Sequence, residues 1–158
     1  MPASLYLMEK KMTVAEIIEQ YNTERPNQAS DELKIGWLKK CEQMIINEVI
    51  ISHEHDLTDE DKVSLSVHGS TLKITPAGSL ESHMDGFDLD TEMLVPAPYD
   101  DLYLWYLDQR VGYTQADTKR YNMAVVQYNN ALLSYQQYFN RTYKTKKQPK
   151  ALFRHGWL

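Results

Sequence analysis

Three groups of side chains in this 158-residue chain have types and spacings that invite a chemical reading. The first is His53-Glu54-His55-Asp56, with His68 and His83 as distant members of the same set. A catalytic zinc site asks for two histidines on one face, commonly four apart on a helix, together with a third ligand. His53 and His55 are two apart, so they lie on opposite faces of a strand or well separated on a helix. A polar helix end is the expectation there. The second group, Asp85-Gly86-Phe87-Asp88-Leu89-Asp90-Thr91-Glu92, is rich in oxygen ligands. It lacks the central glycine and the distant bidentate glutamate of an EF-hand loop, and an ordinary acidic loop is expected. The third is Glu16 and Glu19 on one predicted helix with Glu42 and Glu48 on the next. Paired carboxylates inside a bundle can hold a divalent ion, but these fall beside the apolar stripes, where solvated charges normally sit.

The alternative function that this third group raises is a helical-bundle, metal-dependent enzyme of the nucleotide pyrophosphohydrolase type. Against it, there is no glycine-rich phosphate loop, no nucleophile elbow and no Ser/His/Asp or Cys/His order. The one cysteine, Cys41, sits in a helical pattern with nothing nearby to stabilise a thiolate, so a buried inert thiol is expected. It cannot form an internal disulfide, which suits a reducing compartment. No catalytic residue, no metal ligand and no cofactor is assigned, and the chain is read as a non-enzyme.

The elements that would position any site are mainly helical. Thr13 and Glu16 make a capping box for a first helix through Val14, Ile17, Ile18 and Tyr21, ending before Pro26. Ser30 caps a second, with Asp31 and Glu32 in its first turn. Its predicted apolar face is Leu33, Trp37, Cys41, Met44, Ile45 and Val49, and it runs to about Ser52. Val63 to Val67 and Leu72 to Thr75 alternate about a turn at His68-Gly69-Ser70, the pattern of a β-hairpin, which must lean on the helices or on a neighbour. An irregular acidic stretch at 77–92 reads as a surface loop.

The stretch 96–143 organises the rest as two helices joined at Thr114-Gln115-Ala116-Asp117. The second carries Tyr121, Val125, Tyr128, Leu132, Tyr135 and Phe139, a four-and-three alternation that keeps one apolar seam on one partner. The first contains Leu102-Tyr103-Leu104-Trp105-Tyr106-Leu107, apolar on every side, so it must be covered from several directions. Leu104, Trp105, Leu107, Tyr138 and Tyr143 are therefore expected at a subunit interface or against the hairpin. The fold class is a mainly α bundle of about four helices with an inserted β-hairpin and an extended C-terminal arm. The divisions are an N-terminal arm at 1–11, a helical domain at 12–143 with its insert at about 54–93, and a basic arm at 144–158.

Charge is split along the chain. All 22 acids lie in residues 1–117, with 9 Lys and Arg, whereas residues 118–158 hold 8 Lys and Arg and no acid. Such asymmetry predicts complementary surfaces, within the chain, between copies or with an acidic partner. The arm places Lys146, Lys147, Lys150 and Arg154 among Leu152, Phe153, Trp157 and Leu158. Apolar groups on a charged, flexible linker read as a docking peptide. A regulator that uses this arm on nucleic acid is a third reading, but the overall charge of −5 opposes DNA binding as the main task. No apolar run approaches the roughly 18 residues of a membrane span, and no signal-peptide pattern opens the chain.

Several segments together resemble small head–tail connector proteins encoded beside capsid genes in tailed bacteriophages. They are Met12-Thr13-Val14-Ala15-Glu16-Ile17-Ile18, Leu33-Lys34-Ile35-Gly36-Trp37-Leu38, Leu94-Val95-Pro96-Ala97-Pro98-Tyr99-Asp100-Asp101-Leu102-Tyr103, Arg120-Tyr121-Asn122 and Tyr138-Phe139-Asn140-Arg141-Thr142. The resemblance spans roughly 12–52 and 94–143. It implies a structural virion protein of the neck, at the capsid vertex, that assembles as a homo-oligomeric ring, usually of twelve copies, beneath the portal. The ring would hold the portal on one side and a stopper or tail-completion protein on the other. Genomic double-stranded DNA would pass through its lumen without sequence-specific binding. The C-terminal arm, 144–158, would dock on the portal. The arm before Met12, the hairpin insert and the long tail depart from the short family pattern.

Overall fold

The computed structural model describes residues 11–50, 64–67, 70–73 and 84–142, the two short middle segments as backbone alone. Its architecture is mainly α: helix α1 (Val14–Glu24), α2 (Asp31–Ile45) with a five-residue π-helical continuation (Ile46–Ile50), α3 (Asp101–Thr114) and α4 (Thr118–Thr142). Backbone pairing joins β1 (Ser64–Val67) to β2 (Ser70–Lys73), with Leu65 opposite Leu72. The core that the described residues show is built from the helices and from 84–95; a hairpin leaning on it, as the alternation required, is not supported.

α1 starts as expected. The Glu16 amide donates to Thr13 Oγ1 at 3.2 Å and the Thr13 amide donates to Glu16 Oε1 at 3.3 Å. Two more of its unsatisfied amides are met by chain that returns from far along the sequence: Val14 N donates to Thr91 O and Ala15 N to Leu89 O. Val14, Ile17, Ile18 and Tyr21 form its buried face. Arg25, the residue before Pro26, is extended and ends the helix.

α2 is rotated relative to the expected stripe. Leu33 is half exposed, while Lys34 and Leu38 are enclosed with Trp37, Cys41 and Ile45. Lys34 turns inward because its ammonium finds acceptors there, Asn22 Oδ1 at 2.6 Å and Ala29 O at 2.9 Å. Its aliphatic stem fills the space between α1 and α2.

α3 is the central element, touching α1, α2 and α4. Leu102, Tyr103, Tyr106 and Leu107 are enclosed, and Leu104 and Trp105 are half buried against the same core. The cover that such a helix requires comes largely from the rest of the chain, one of the two sources its all-round apolar face allows. Leu107 is fully enclosed and offers no area to a neighbour.

The α3–α4 connection is a Schellman turn. Asp117 N donates to Gly112 O and Ala116 N to Tyr113 O, with Ala116 in the left-handed region at φ 56°. Asp117 then caps α4 through the Arg120 amide at 3.1 Å. The two helices nearly touch here, since a Cβ on Gly112 would sit 2.8 Å from Tyr121 N. Along α4, Tyr128, Tyr135 and Phe139 are buried as the seam predicts, with Ala124 beside them. Tyr121, Val125 and Leu132 are half buried. Aromatic rings fill the groove: Tyr106 lies 5.5 Å from Tyr128, and Tyr99 stacks on Tyr138 at 4.9 Å.

Candidate interaction surfaces

Two buried polar centres hold these elements together, and neither was expected. Glu42 was placed among the solvated charges; it is fully enclosed. Its Oε1 accepts from the Tyr103 hydroxyl at 2.6 Å and its Oε2 from the Leu94 amide at 2.9 Å. The Tyr103 oxygen accepts in turn from the Val95 amide at 3.1 Å. Burial, together with the neighbouring Glu42 carboxylate, pushes the Tyr103 hydroxyl well above its ordinary pKa, so it stays a donor. Glu42 thus fastens the returning segment 93–95 to α2 and α3. This is a structural anchor.

The second centre is Asp108, also enclosed. It accepts from Arg25 Nη2 at 2.6 Å, Arg120 Nε at 2.8 Å and the Tyr21 hydroxyl at 2.9 Å. Arg120 additionally donates to the Tyr21 oxygen at 3.1 Å and to Pro26 O at 3.3 Å. Burial alone would raise the Asp108 carboxyl, but the donations from Arg25, Arg120 and Tyr21 outweigh it and hold the pKa below the usual value. One carboxylate therefore joins α1, α3 and α4.

Two clefts flank this centre. One, of about 200 Å³, is lined by Tyr21, Arg25, Leu104 and Trp105, with the Arg25 guanidinium 5.9 Å from the Trp105 ring centroid. The other, of about 390 Å³, is bordered by Glu24, Arg25, Asp117, Lys119, Arg120 and Met123. Its cations are matched by Glu24, Asp117 and the enclosed Asp108, so it carries no surplus charge for an anion.

Among the described residues the remaining carboxylates do not converge on a metal. Glu16, Glu19 and Glu48 are exposed, and Glu42 is committed to Tyr103 and Leu94. In the acidic loop, Asp88 Oδ1 accepts from the Asp90 amide and from Thr91 Oγ1, closing the turn on itself. Among the described residues no group of three or more His, Cys, Asp or Glu is arranged to hold a metal ion. His53, Glu54, His55, Asp56, His68 and His83 lie outside the described residues. Cys41 is buried with its sulfur 4.0 Å from the Tyr128 hydroxyl; burial pushes its pKa well up, which leaves it an inert thiol.

Of the expected interface set, Leu104, Trp105 and Tyr138 are half buried, and Tyr143 lies outside the described residues. The docking arm, with Lys146, Lys147, Lys150, Leu152, Phe153, Arg154, Trp157 and Leu158, lies there too. One exposed apolar surface among the described residues was not legible in the sequence. Met123, Val126 and Leu133 are each more than half exposed. With Lys119, Asn130, Gln137 and Arg141 they repeat at spacings of four and three, turned away from Tyr128 and Tyr135. α4 is therefore seamed on two opposite sides.

No protein-family model, no curated protein and no solved structure matches the chain. Among the described residues no helix is long and apolar enough to cross a membrane.

Proposed function

We propose that this chain is a structural adaptor of the head–tail connector type, a non-enzymatic neck protein that forms a ring between the portal and a stopper or tail-completion protein. The carrying observation is the second seam of α4, with Met123, Val126 and Leu133 exposed at 53%, 56% and 51% along the longest helix. Exposed apolar side chains aligned on one side of a helix otherwise tightly held mark an interaction surface. The Asp108 and Glu42 centres support the same reading, because they make the α3–α4 hairpin a rigid mount for that stripe. The charge split adds to it: residues 118–158 hold eight Lys and Arg and no acid, whereas all 22 acids lie before them.

In this reading the β1–β2 segment is an insert that reaches a partner, the arm at 144–158 docks on the portal, and DNA passes the ring without base-specific contact. Mixing the purified chain with purified portal rings tests it. Electron microscopy is expected to show an added annulus on one face of the portal. A chain that leaves portal rings unchanged and instead hydrolyses nucleotides in the presence of manganese would overturn the reading in favour of the bundle enzyme.

A further inference from the structure

The outer seam of α4 runs Lys119, Met123, Val126, Asn130, Leu133, Gln137 and Arg141, every one of them exposed. At about 100° per residue they cluster on the side opposite Tyr128 and Tyr135, over about 33 Å of helix. Three features define what fits it. Between its ends Met123, Val126 and Leu133 are apolar, its two charged members are both cations, and no acid occurs anywhere in the chain after Asp117. A complementary surface needs exposed apolar groups edged by carboxylates.

The molecule carries such a surface on a different element. A groove of about 400 Å³ runs along α1 and is lined by Ala15, Ile18, Glu19, Asn22, Asp31 and Leu89. Leu89 is 43% exposed, and Leu33, on the first turn of α2, is 50% exposed. Glu19 and Asp31 line the groove, and Asp88 and Asp90 flank Leu89. Asp31 has a cation near it, Lys34 Nζ at 3.8 Å, but that ammonium is enclosed while the Asp31 side chain is 64% exposed. The acids at this groove therefore still face outward.

We infer that the outward seam of α4 docks into the acid-edged α1 groove of a second copy. The contact is heterologous: seam and groove are different patches, so a joined pair still has one seam and one groove free to propagate the array. Met123, Val126 and Leu133 lose water against Leu89 and Ala15, while Lys119 and Arg141 meet carboxylates at the edge. The inference rests on the adaptor reading and names which two surfaces of the subunit meet.

The test is sedimentation velocity on the full-length chain, with M123E/L133E, with E19K/L89K and with an equimolar mixture of the two. Circular dichroism on each variant verifies that the helices are intact. The wild type is expected to self-associate as concentration rises, more weakly at high salt. Each double variant alone should need at least tenfold more protein to associate. The mixture should recover a species of two chains and stop there, since its one good seam meets its one good groove. A wild type that stays monomeric to about 100 µM would overturn the inference, as would either variant associating like the wild type. Portal-ring binding, measured on the same samples, separates the two claims. Wild-type binding with unaffected variant association removes only this pairing of surfaces; no binding at all removes the adaptor reading.

Discussion

Arg120 Nε stands 2.8 Å from Asp108 Oδ1, a contact between the first turn of α4 and the middle of α3 across the turn that joins them. Arg25 Nη2 meets the other oxygen of the same carboxylate at 2.6 Å, so α1 is bound into the same node. Removing Asp108 would leave two guanidiniums and the Tyr21 hydroxyl without their acceptor. Asp108→Ala is expected to cost about 3–5 kcal/mol, as for breaking an enclosed ion pair. The folded-state pKa of Asp108 is lowered, so its contribution is fully present above the ordinary carboxylate pKa near 4 and is lost as pH falls through the lower folded value. Urea titrations from pH 7 down to pH 2 should show that loss in the wild type and a shallower acid dependence in Asp108→Asn.

Glycine and alanine stand at exchanged tasks in the α3–α4 turn. Gly112 supplies space, because a Cβ there would meet Tyr121 N at 2.8 Å and backbone cannot swing aside. Ala116 occupies the left-handed position of the turn, where glycine is the favoured residue. Gly112→Ala should destabilise by about 1–3 kcal/mol, and Ala116→Gly should stabilise by up to about 1 kcal/mol. Thermal unfolding of the two variants should move in opposite directions.

Tyr103→Phe removes a donor to Glu42 and the acceptor of the Val95 amide while leaving the ring in place. Both lost partners are enclosed, so a cost of about 1–3 kcal/mol is expected. Hydrogen exchange should localise the effect to the amides of Leu94 and Val95.

The α4 seam should show a graded response to truncation. Tyr128 is 8% exposed and contacts Tyr106 and Cys41, whereas Leu132 is only half buried. Tyr128→Ala is expected to cost about 3–5 kcal/mol and Leu132→Ala clearly less, near the lower end of about 2 kcal/mol. Equal costs at the two positions, read from denaturant midpoints, would contradict the observed burial.

Periodicity and capping were enough to locate the four helices. Thr13 with Glu16, Ser30, and the four-and-three rhythm of Tyr121 to Phe139 act locally, within one or two turns, and that is what a single chain reveals. Glu42, Asp108 and Lys34 were not legible. Each is enclosed because of partners 5 to 87 residues away, such as Ala29 for Lys34 or Tyr21 for Asp108, which no helical spacing encodes. Leu33 looked like core and is exposed because Lys34, with its own acceptors, takes the inward position. The outer stripe of α4 was overlooked for a different reason. Asn130 and Gln137 interrupt it, so hydropathy alone marks only the inner seam. The stretch 77–92 reads as a surface loop because of its acids, yet Met84 within it is core, as are Met93, Leu94 and Val95 directly after it.

The most direct measurement of the adaptor claim is an image of purified, intact phage particles in which this chain carries a label. The account predicts density for the label at the capsid vertex, between portal and tail, in every tailed particle. Particles that assemble complete necks with no label there, while the chain remains with unassembled soluble material, would contradict it.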